Sequence, residues 1–164
     1  MPDVLVVNAS PLIFLGNADR LDLLRLIGAS RVVAPQSVID EVTTTLHPDR
    51  SAHAVTEAHW IERAGAPTLP TGVVEWDLGT GESDVIATCL QIAGSRPVID
   101  DLAGRKCALA LGLRPIGTLG VVITAYRRGH LEDPRQTLLE LRASGMWLSD
   151  SVIERALRLT GLDR

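Results

Sequence analysis

Four polar residues stand where a predicted strand gives way to a helix. Asn8 follows the first strand, Glu41 lies in the helix after the second, Glu82 opens a later helix, and Asp100 follows the third strand. In an open parallel sheet, ligands gather at the carboxyl ends of the strands. We therefore expect these side chains, three of them carboxylates, to meet at one edge.

Carboxylates brought together in this way need a counter-charge. Two like charges about 4 Å apart repel by roughly 4 kcal/mol at an effective dielectric constant of 20. A hard divalent cation with oxygen ligands removes that cost, and Mg²⁺ or Mn²⁺ is the usual choice. Such an ion can activate water and stabilise charge on a phosphodiester. The residue types thus predict metal-assisted hydrolysis.

Each acidic residue also has an ordinary structural interpretation. Asp100 and Asp101 could cap a helix and stabilise its dipole. Glu82 and Asp84 could be an acidic pair in a first helical turn, and Glu41 could sit on the solvated face of an amphipathic helix. The sequence leaves these alternatives open.

The elements that would position these residues are short apolar strands alternating with helices, which is typical of a parallel sheet between helical layers. Four strands are predicted, at residues 4–7, 31–34, 97–99 and 114–116, with a further brief strand near Ile61. Ser10 is predicted to cap the first helix, and a confident helix is expected from Glu82 to Ala93. The predicted fold class is α/β, a three-layer α/β/α sandwich with a short-stranded parallel sheet.

From Pro134 onward the pattern is helical only, with Ser149 as a candidate cap between two helices. We predict an α/β domain over residues 1–130 and a C-terminal helical hairpin over residues 131–164. The hairpin is too apolar to be free in solution, so it should pack on the body or on a partner subunit.

Composition narrows the class of protein. The chain has 164 residues, 46% hydrophobic but only 3% aromatic, so the core must consist of Leu, Val, Ile and Ala. No apolar run approaches the ~20 residues of a membrane span, and we expect a soluble cytoplasmic protein. Cys89 and Cys107 lie in apolar helical patterns and are predicted to be buried free thiols. The net charge of −4 means that a nucleic-acid ligand would require metal ions or a local basic patch.

Four segments resemble the motifs of the PIN-domain family. They are residues 6–13, an apolar strand followed by Asn-Ala-Ser-Pro; residues 38–42 around Glu41; residues 81–87, where Glu82 opens an Ala-containing helix; and residues 97–101. The 18-residue step from Glu82 to Asp100 matches the family's spacing. Three further segments resemble motifs of one uncharacterised prokaryotic subgroup of the family. They are Gly104-Arg105-Lys106, Gly117-Thr118-Leu119-Gly120 and residues 141–149.

This resemblance implies a VapC-like ribonuclease fold and Mg²⁺- or Mn²⁺-dependent cleavage of RNA. It implies metal ligation by Asn8, Glu41, Glu82 and Asp100, with Asp101 joining the catalytic set. Proteins of this kind are often homodimeric toxins restrained by a small antitoxin. Asn8 departs from the family pattern, which most often has Asp there. An amide oxygen can still bind a hard cation but brings no charge, so weaker metal binding and weaker cleavage are expected.

Several residues are candidates for substrate contact. Ser10 could hydrogen-bond a metal-bound water or the substrate, and Arg105 and Lys106 could hold a substrate phosphate. A basic cluster that includes Arg127 could contact RNA. The alternatives are a helix cap for Ser10 and solvated helix positions for the cations.

Other chemistries lack support in the sequence. The four histidines do not pair with cysteines at zinc-site spacing, and no nucleophile-elbow or phosphate-loop pattern is present. Two rival functions remain beside the ribonuclease: a PIN-fold binding or regulatory module that has lost cleavage, and an interaction protein whose apolar tail forms a dimer.

Overall fold

The computed structural model describes residues 4–161, and at its centre lies a four-stranded parallel sheet. The strands are β1 (Val4–Val7), β2 (Arg31–Pro35), β3 (Ile61–Ala64) and β4 (Ser95–Val98). Their order across the sheet is β3-β2-β1-β4, and every neighbouring pair is parallel. β1 is buried along its whole length, which explains its continuous apolar sequence.

Ten helices accompany the sheet within residues 4–161. In chain order they are α1 (Ala9–Asn17), α2 (Leu23–Leu26), α3 (Gln36–Thr43), α4 (Arg50–Glu57), α5 (Thr71–Val74), α6 (Thr80–Gln91), α7 (Leu102–Ala110), α8 (Thr118–Arg127), α9 (Pro134–Ala143) and α10 (Asp150–Thr160). The predicted α/β fold class is confirmed.

The strand order places helices on both faces of the sheet. The chain steps from β1 to β2 to β3 in one direction, then crosses back to β4 on the far side of β1. Right-handed crossovers therefore put α1 to α4 on one face and α5 to α7 on the other. The contacts agree, because α1 packs against α4, while α6 packs on β1, β2 and β4. The reversal of direction makes the carboxyl end of β1 the switch point of the sheet.

One of the predicted strands was wrong. The strand predicted at residues 114–116 is reduced to a single parallel bridge between Ile116 and Val98. Pro115 has no N–H for a ladder, and Gly117 already caps α8. The fourth full strand is β3, so the brief strand predicted near Ile61 is confirmed.

The helix starts also differ from prediction. Ser10 does not cap α1, because the helix begins at Ala9 and Asn8, with extended backbone, holds the N-cap position. Pro11 is still in the first turn, where its missing N–H costs nothing. Helix α6 begins at Thr80, two residues before the predicted start at Glu82.

The two C-terminal helices pack on each other and on α8. Ion pairs join them, with Arg135 2.9 Å from Glu154 and Arg142 2.7 Å from Asp150. Ser149 caps α10 as predicted, since its side chain accepts from the N–H of Val152. The boundary at residue 130 remains a prediction. No helix within residues 4–161 combines the length and apolar character needed to cross a membrane.

The two cysteines are buried and free, as the sequence predicted. Burial raises the pKa of Cys89 to about 12. A thiol held protonated in this way packs as a small apolar side chain.

Candidate functional site

Asn8 lies at the carboxyl end of β1, at the switch point of the sheet. Its N–H donates to the carbonyl of Val98 at 3.0 Å, which ties it to the end of β4. The side chain is only 2% exposed. Its Nδ2 donates to Glu82 Oε1 at 3.1 Å, whereas Oδ1 is buried without a hydrogen-bond partner. An unsatisfied buried acceptor costs about 1–3 kcal/mol, so a ligand at Oδ1 would be stabilised.

Gly81 makes room beside that oxygen. A β-carbon placed on Gly81 would lie 3.1 Å from Asn8 Oδ1 and 3.2 Å from Glu41 Oε2. Glu41 comes from α3, and Gly81 stands in the first turn of α6, one residue before Glu82. We call this space, bordered by Asn8, Glu41 and Glu82, the Gly81 notch.

The notch is electrostatically unfavourable for its own carboxylates. Glu41 as a whole residue is open to solvent, yet partial burial of its carboxylate raises its pKa above the ordinary value. The negative charge of Glu82 raises the pKa of Glu41 further. Both effects disfavour the ionised form, so a cation between these groups would relieve them.

Asp100 lies just beyond the end of β4, and each of its carboxylate oxygens accepts one hydrogen bond. Its Oδ1 accepts from the backbone N–H of Thr118, and its Oδ2 accepts from the Thr118 hydroxyl, each at 2.7 Å. Thr118 is the first residue of α8 and is completely buried. Asp100 therefore satisfies the start of a helix that is remote in sequence, in agreement with a stabilising role at a helix N-terminus.

Asp101 caps α7 through its own side chain. Its Oδ2 accepts from the N–H of Gly104 at 2.8 Å, so the helix-cap interpretation of this residue is confirmed. A β-carbon on Gly104 would lie 3.5 Å from Glu82 Cγ and 3.7 Å from Asp101 Oδ2. The side chains of Glu82 and Asp101 thus both lie beside Gly104. We call Asn8, Glu41, Glu82, Asp100 and Asp101 together the acidic edge.

This edge can be compared with known families. A family model, DUF3368, described as a PIN domain, matches residues 4–162. The chain belongs to this PIN-domain family. Neither the curated proteins nor the solved structures gave a match. PIN domains are nuclease-type domains and generally use divalent metals, which agrees with acids gathered at the switch point.

Not every acid of this PIN domain faces the edge. Asp84 is 7% exposed, and its Oδ2 accepts from the hydroxyl of Ser37 at 2.6 Å. The bond joins α6 to α3, so Asp84 holds together the two helices that carry Glu82 and Glu41.

The candidate substrate residues lie at different places in the PIN domain. Arg105 is half-buried, and both its Nη1 and Asp100 Oδ1 lie beside Gly117, at 2.6 and 3.0 Å from a β-carbon placed there. Lys106 is exposed, and Ser10 is half-buried in the first turn of α1. The structure thus brings Arg105 next to Asp100.

The fit of a metal depends on the donor set. Among residues 4–161, no group of three or more His, Cys, Asp or Glu side chains is arranged to hold a metal by itself. Glu41 and Glu82 make up the acidic part of the notch, and the third oxygen is the amide oxygen of Asn8. Carboxylate and amide oxygens suit Mg²⁺ or Mn²⁺. Asn8 Oδ1, which has no hydrogen-bond partner, is free to coordinate the ion. The residues present therefore fit the metal that the family uses.

Sequence reasoning did not find the roles of Gly81 and Thr118. Gly81 stood in a motif segment only as the residue before Glu82, yet its lack of a side chain keeps the notch open. Thr118 stood in a subgroup motif without a function, yet it binds both oxygens of Asp100. The sequence held one indication for each residue, namely that it lies in a segment that resembles a family motif.

Proposed function

We propose that this PIN domain is a metal-dependent endoribonuclease that holds Mg²⁺ or Mn²⁺ in the Gly81 notch. The observation that carries the proposal is Asn8 Oδ1, a buried acceptor without a partner that lies against the same Gly81 as Glu41 Oε2. A nearly buried amide oxygen beside two carboxylates is costly without a ligand. A hard cation is the ligand that satisfies all three groups.

The notch residues have distinct roles in this proposal. Glu41 and Glu82 supply negative charge, and the Asn8 amide orients Glu82 by donating to its Oε1. Asp100 completes the site from the end of β4 through oxygen lone pairs that Thr118 leaves free. When bound, the cation supplies positive charge that stabilises a phosphodiester as it is attacked by water.

The proposed substrate is a polyanion, so a local positive charge is needed to bind it. A chain with a net charge of −4 approaches a polyanion unfavourably. Arg105, whose guanidinium lies beside Gly117 near Asp100, is the proposed ligand of a phosphate next to the scissile one. Lys106 and Ser10 are further candidates for substrate contact. Single-stranded or loop RNA is the proposed substrate.

The proposal extends to a biological setting through the family resemblance. We propose a cytoplasmic toxin, active as a homodimer and restrained by a small antitoxin. Expression of the chain should arrest growth, and co-expression of a small neighbouring gene product should restore it. Growth arrest that persists in a Glu82→Gln variant would contradict a nuclease toxin.

The direct test is Mn²⁺-dependent cleavage of single-stranded and hairpin RNAs. Glu41→Gln should slow cleavage by at least about 100-fold, the upper end of what is lost when a residue supporting a metal ligand is removed. Asp40→Asn is the matched control, because Asp40 is the adjacent exposed acid on α3 and only accepts from Gln36. Equal cleavage by wild type and Glu41→Gln, or cleavage that continues in EDTA, would overturn the proposal.

A second function is favoured by one observation. Asn8 replaces the usual first Asp, so the notch contains two carboxylates where an Asp would add a third. A PIN-fold binding or regulatory module with little or no cleavage would follow from the weaker metal affinity. The two functions separate in one assay: a module binds RNA in EDTA and shows no cleavage at any Mn²⁺ concentration.

A further inference from the structure

A groove of about 800 Å³ runs away from the Asp100 end of the site, between α8 and α10. Asp100 and Arg105 line its inner end, and the loop between α9 and α10, with Trp147, lines its outer end. We call it the α8–α10 groove. It is distinct from the Gly81 notch, because Asn8, Glu41 and Glu82 do not line it.

The charges of the groove are unbalanced. Four arginines line it, namely Arg96, Arg105, Arg127 and Arg155, against the single carboxylate of Asp100. None of the four forms a salt bridge with another residue in the described part of the chain. In a protein with a net charge of −4, this is a local concentration of positive charge.

The arginines at the inner end also repel one another. Burial lowers the pKa of Arg96, and the nearby positive charges of Arg114 and Arg105 lower it further. The Arg127 guanidinium donates to the Leu159 carbonyl, which links α8 to α10 but leaves its charge unpaired. Anions bound along the groove would relieve this repulsion.

The groove also offers an aromatic surface. Trp147 is 94% exposed, which is unusual for a residue that buries well in protein cores. Leu119 and Ile123 of α8 supply an apolar wall. An exposed indole beside unpaired arginines is the combination used by proteins that bind single-stranded nucleic acid, with bases stacked on aromatic rings and phosphates held by cations.

We propose that the α8–α10 groove binds the single strand of RNA flanking the scissile phosphate, with a base stacked on Trp147 and phosphates held by the four arginines. The proposal deepens the proposed ribonuclease function, because the groove opens onto Asp100. An apolar groove could also hold a protein helix or a second copy of the chain. The unpaired positive charge favours a polyanion.

The test is fluorescence anisotropy of the full chain with a labelled oligouridine of roughly 12 nucleotides, in EDTA to prevent divalent-dependent cleavage. Trp147→Ala should weaken binding about tenfold, the loss expected for one stacked base, and Trp147→Phe should retain most of the affinity. Because Trp147 is exposed, neither change should alter folding, which thermal melting checks.

Two variants on α10 test whether arginines of the groove bind phosphates. Arg155→Ala should reduce the slope of log affinity against log salt by about 0.7, the value for one phosphate contact on a single strand. Arg158 is exposed on the same helix but does not line the groove, so Arg158→Ala should leave the slope close to that of wild type.

Three results would overturn the groove proposal. Trp147→Ala and Arg155→Ala could bind the oligouridine as tightly as wild type. Arg158→Ala could lower the salt slope as much as Arg155→Ala. Trp147→Ala could turn a dimer into a monomer in sedimentation while RNA affinity stays unchanged, which would identify a protein interface instead.

The same variants keep the two proposals distinguishable. If wild type never cleaves RNA but Trp147→Ala still loses about tenfold in affinity, the groove stands and the ribonuclease fails. If Glu41→Gln abolishes cleavage while Trp147→Ala binds and cleaves as wild type does, the ribonuclease stands and the groove fails.

Discussion

At the β1 end of the acidic edge, Asn8 leaves its side-chain oxygen without a partner, and Glu41 and Glu82 bring like charges together. At the β4 end, both oxygens of Asp100 accept hydrogen bonds from Thr118. The first end carries an energetic cost in the metal-free protein, and the second contributes stability. A neutral replacement of an acid should therefore have opposite effects on stability at the two ends, even where both replacements weaken metal binding.

The largest effect is expected on metal affinity at the notch. Glu82→Gln should weaken Mn²⁺ binding by about 100-fold, since it removes one of the two charges beside Asn8. Its remaining amide oxygen can still accept from Asn8 Nδ2, so the metal-free protein should be at least as stable as wild type. Calorimetric titration with Mn²⁺ measures the first quantity and thermal melting in EDTA the second.

Glu75→Gln is the control for that titration, because Glu75 is an exposed acid that precedes α6. Its affinity should match wild type. Equal losses in the two variants would mean that only net charge matters and that the notch is not the metal site.

The next effect concerns stability at the β4 end. Thr118→Val removes the hydroxyl that donates to Asp100 Oδ2 while keeping the side-chain shape. A lost hydrogen bond to a charged group costs about 1.5–3 kcal/mol, and urea denaturation should show a loss of that size. Thr118→Ser, which keeps the hydroxyl, should lose less. If the valine variant is as stable as wild type, Asp100 does not stabilise α8 in the way described.

Asn8→Asp tests the notch from the other direction. It replaces a donor to Glu82 with a third negative charge, so the metal-free protein should lose about 1–3 kcal/mol of unfolding free energy. Mn²⁺ affinity should rise about tenfold, because a carboxylate is a stronger ligand than an amide oxygen. Titration and melting of the same variant should move in opposite directions. Unchanged affinity would place residue 8 outside the metal site.

The sequence predicted the outline of this comparison because the signals are local. β1 is a continuous apolar run that ends at Asn8, and the apolar run at residues 97–99 ends at Asp100. Each prediction needed only a strand, a helix and the rule that ligands gather at the carboxyl ends of parallel strands.

The difference between the two ends was not predictable, because it depends on contacts between distant residues. Asp100 and Thr118 are joined across 18 positions, and no pattern indicated that α8 would begin beneath Asp100. Similarly, Gly79 caps α6 without a polar side chain, so no capping residue in the sequence indicated that the helix begins at Thr80. This early start places Gly81 in the first turn, against Asn8 and Glu41.

The smallest effect is the stability gained when Glu41 loses its charge. Partial burial first, and Glu82 second, raise the pKa of Glu41 above its ordinary 4.5. The folded protein therefore holds the Glu41 proton more tightly than the unfolded chain does. The associated stability is present at low pH and is lost as the pH rises through the folded pKa. Glu41→Gln removes this loss, so in EDTA the variant should melt higher than wild type near neutral pH, with a difference that shrinks towards pH 4.5. The gain should be below about 1 kcal/mol, because the residue is largely open to water and solvent screens its charge.

The variant that cannot cleave RNA would then be the more stable one, which is the pattern expected when a residue is held for metal binding at the expense of folding. A difference in melting temperature that is zero, or that grows as the pH falls, would show that Glu41 carries no such cost.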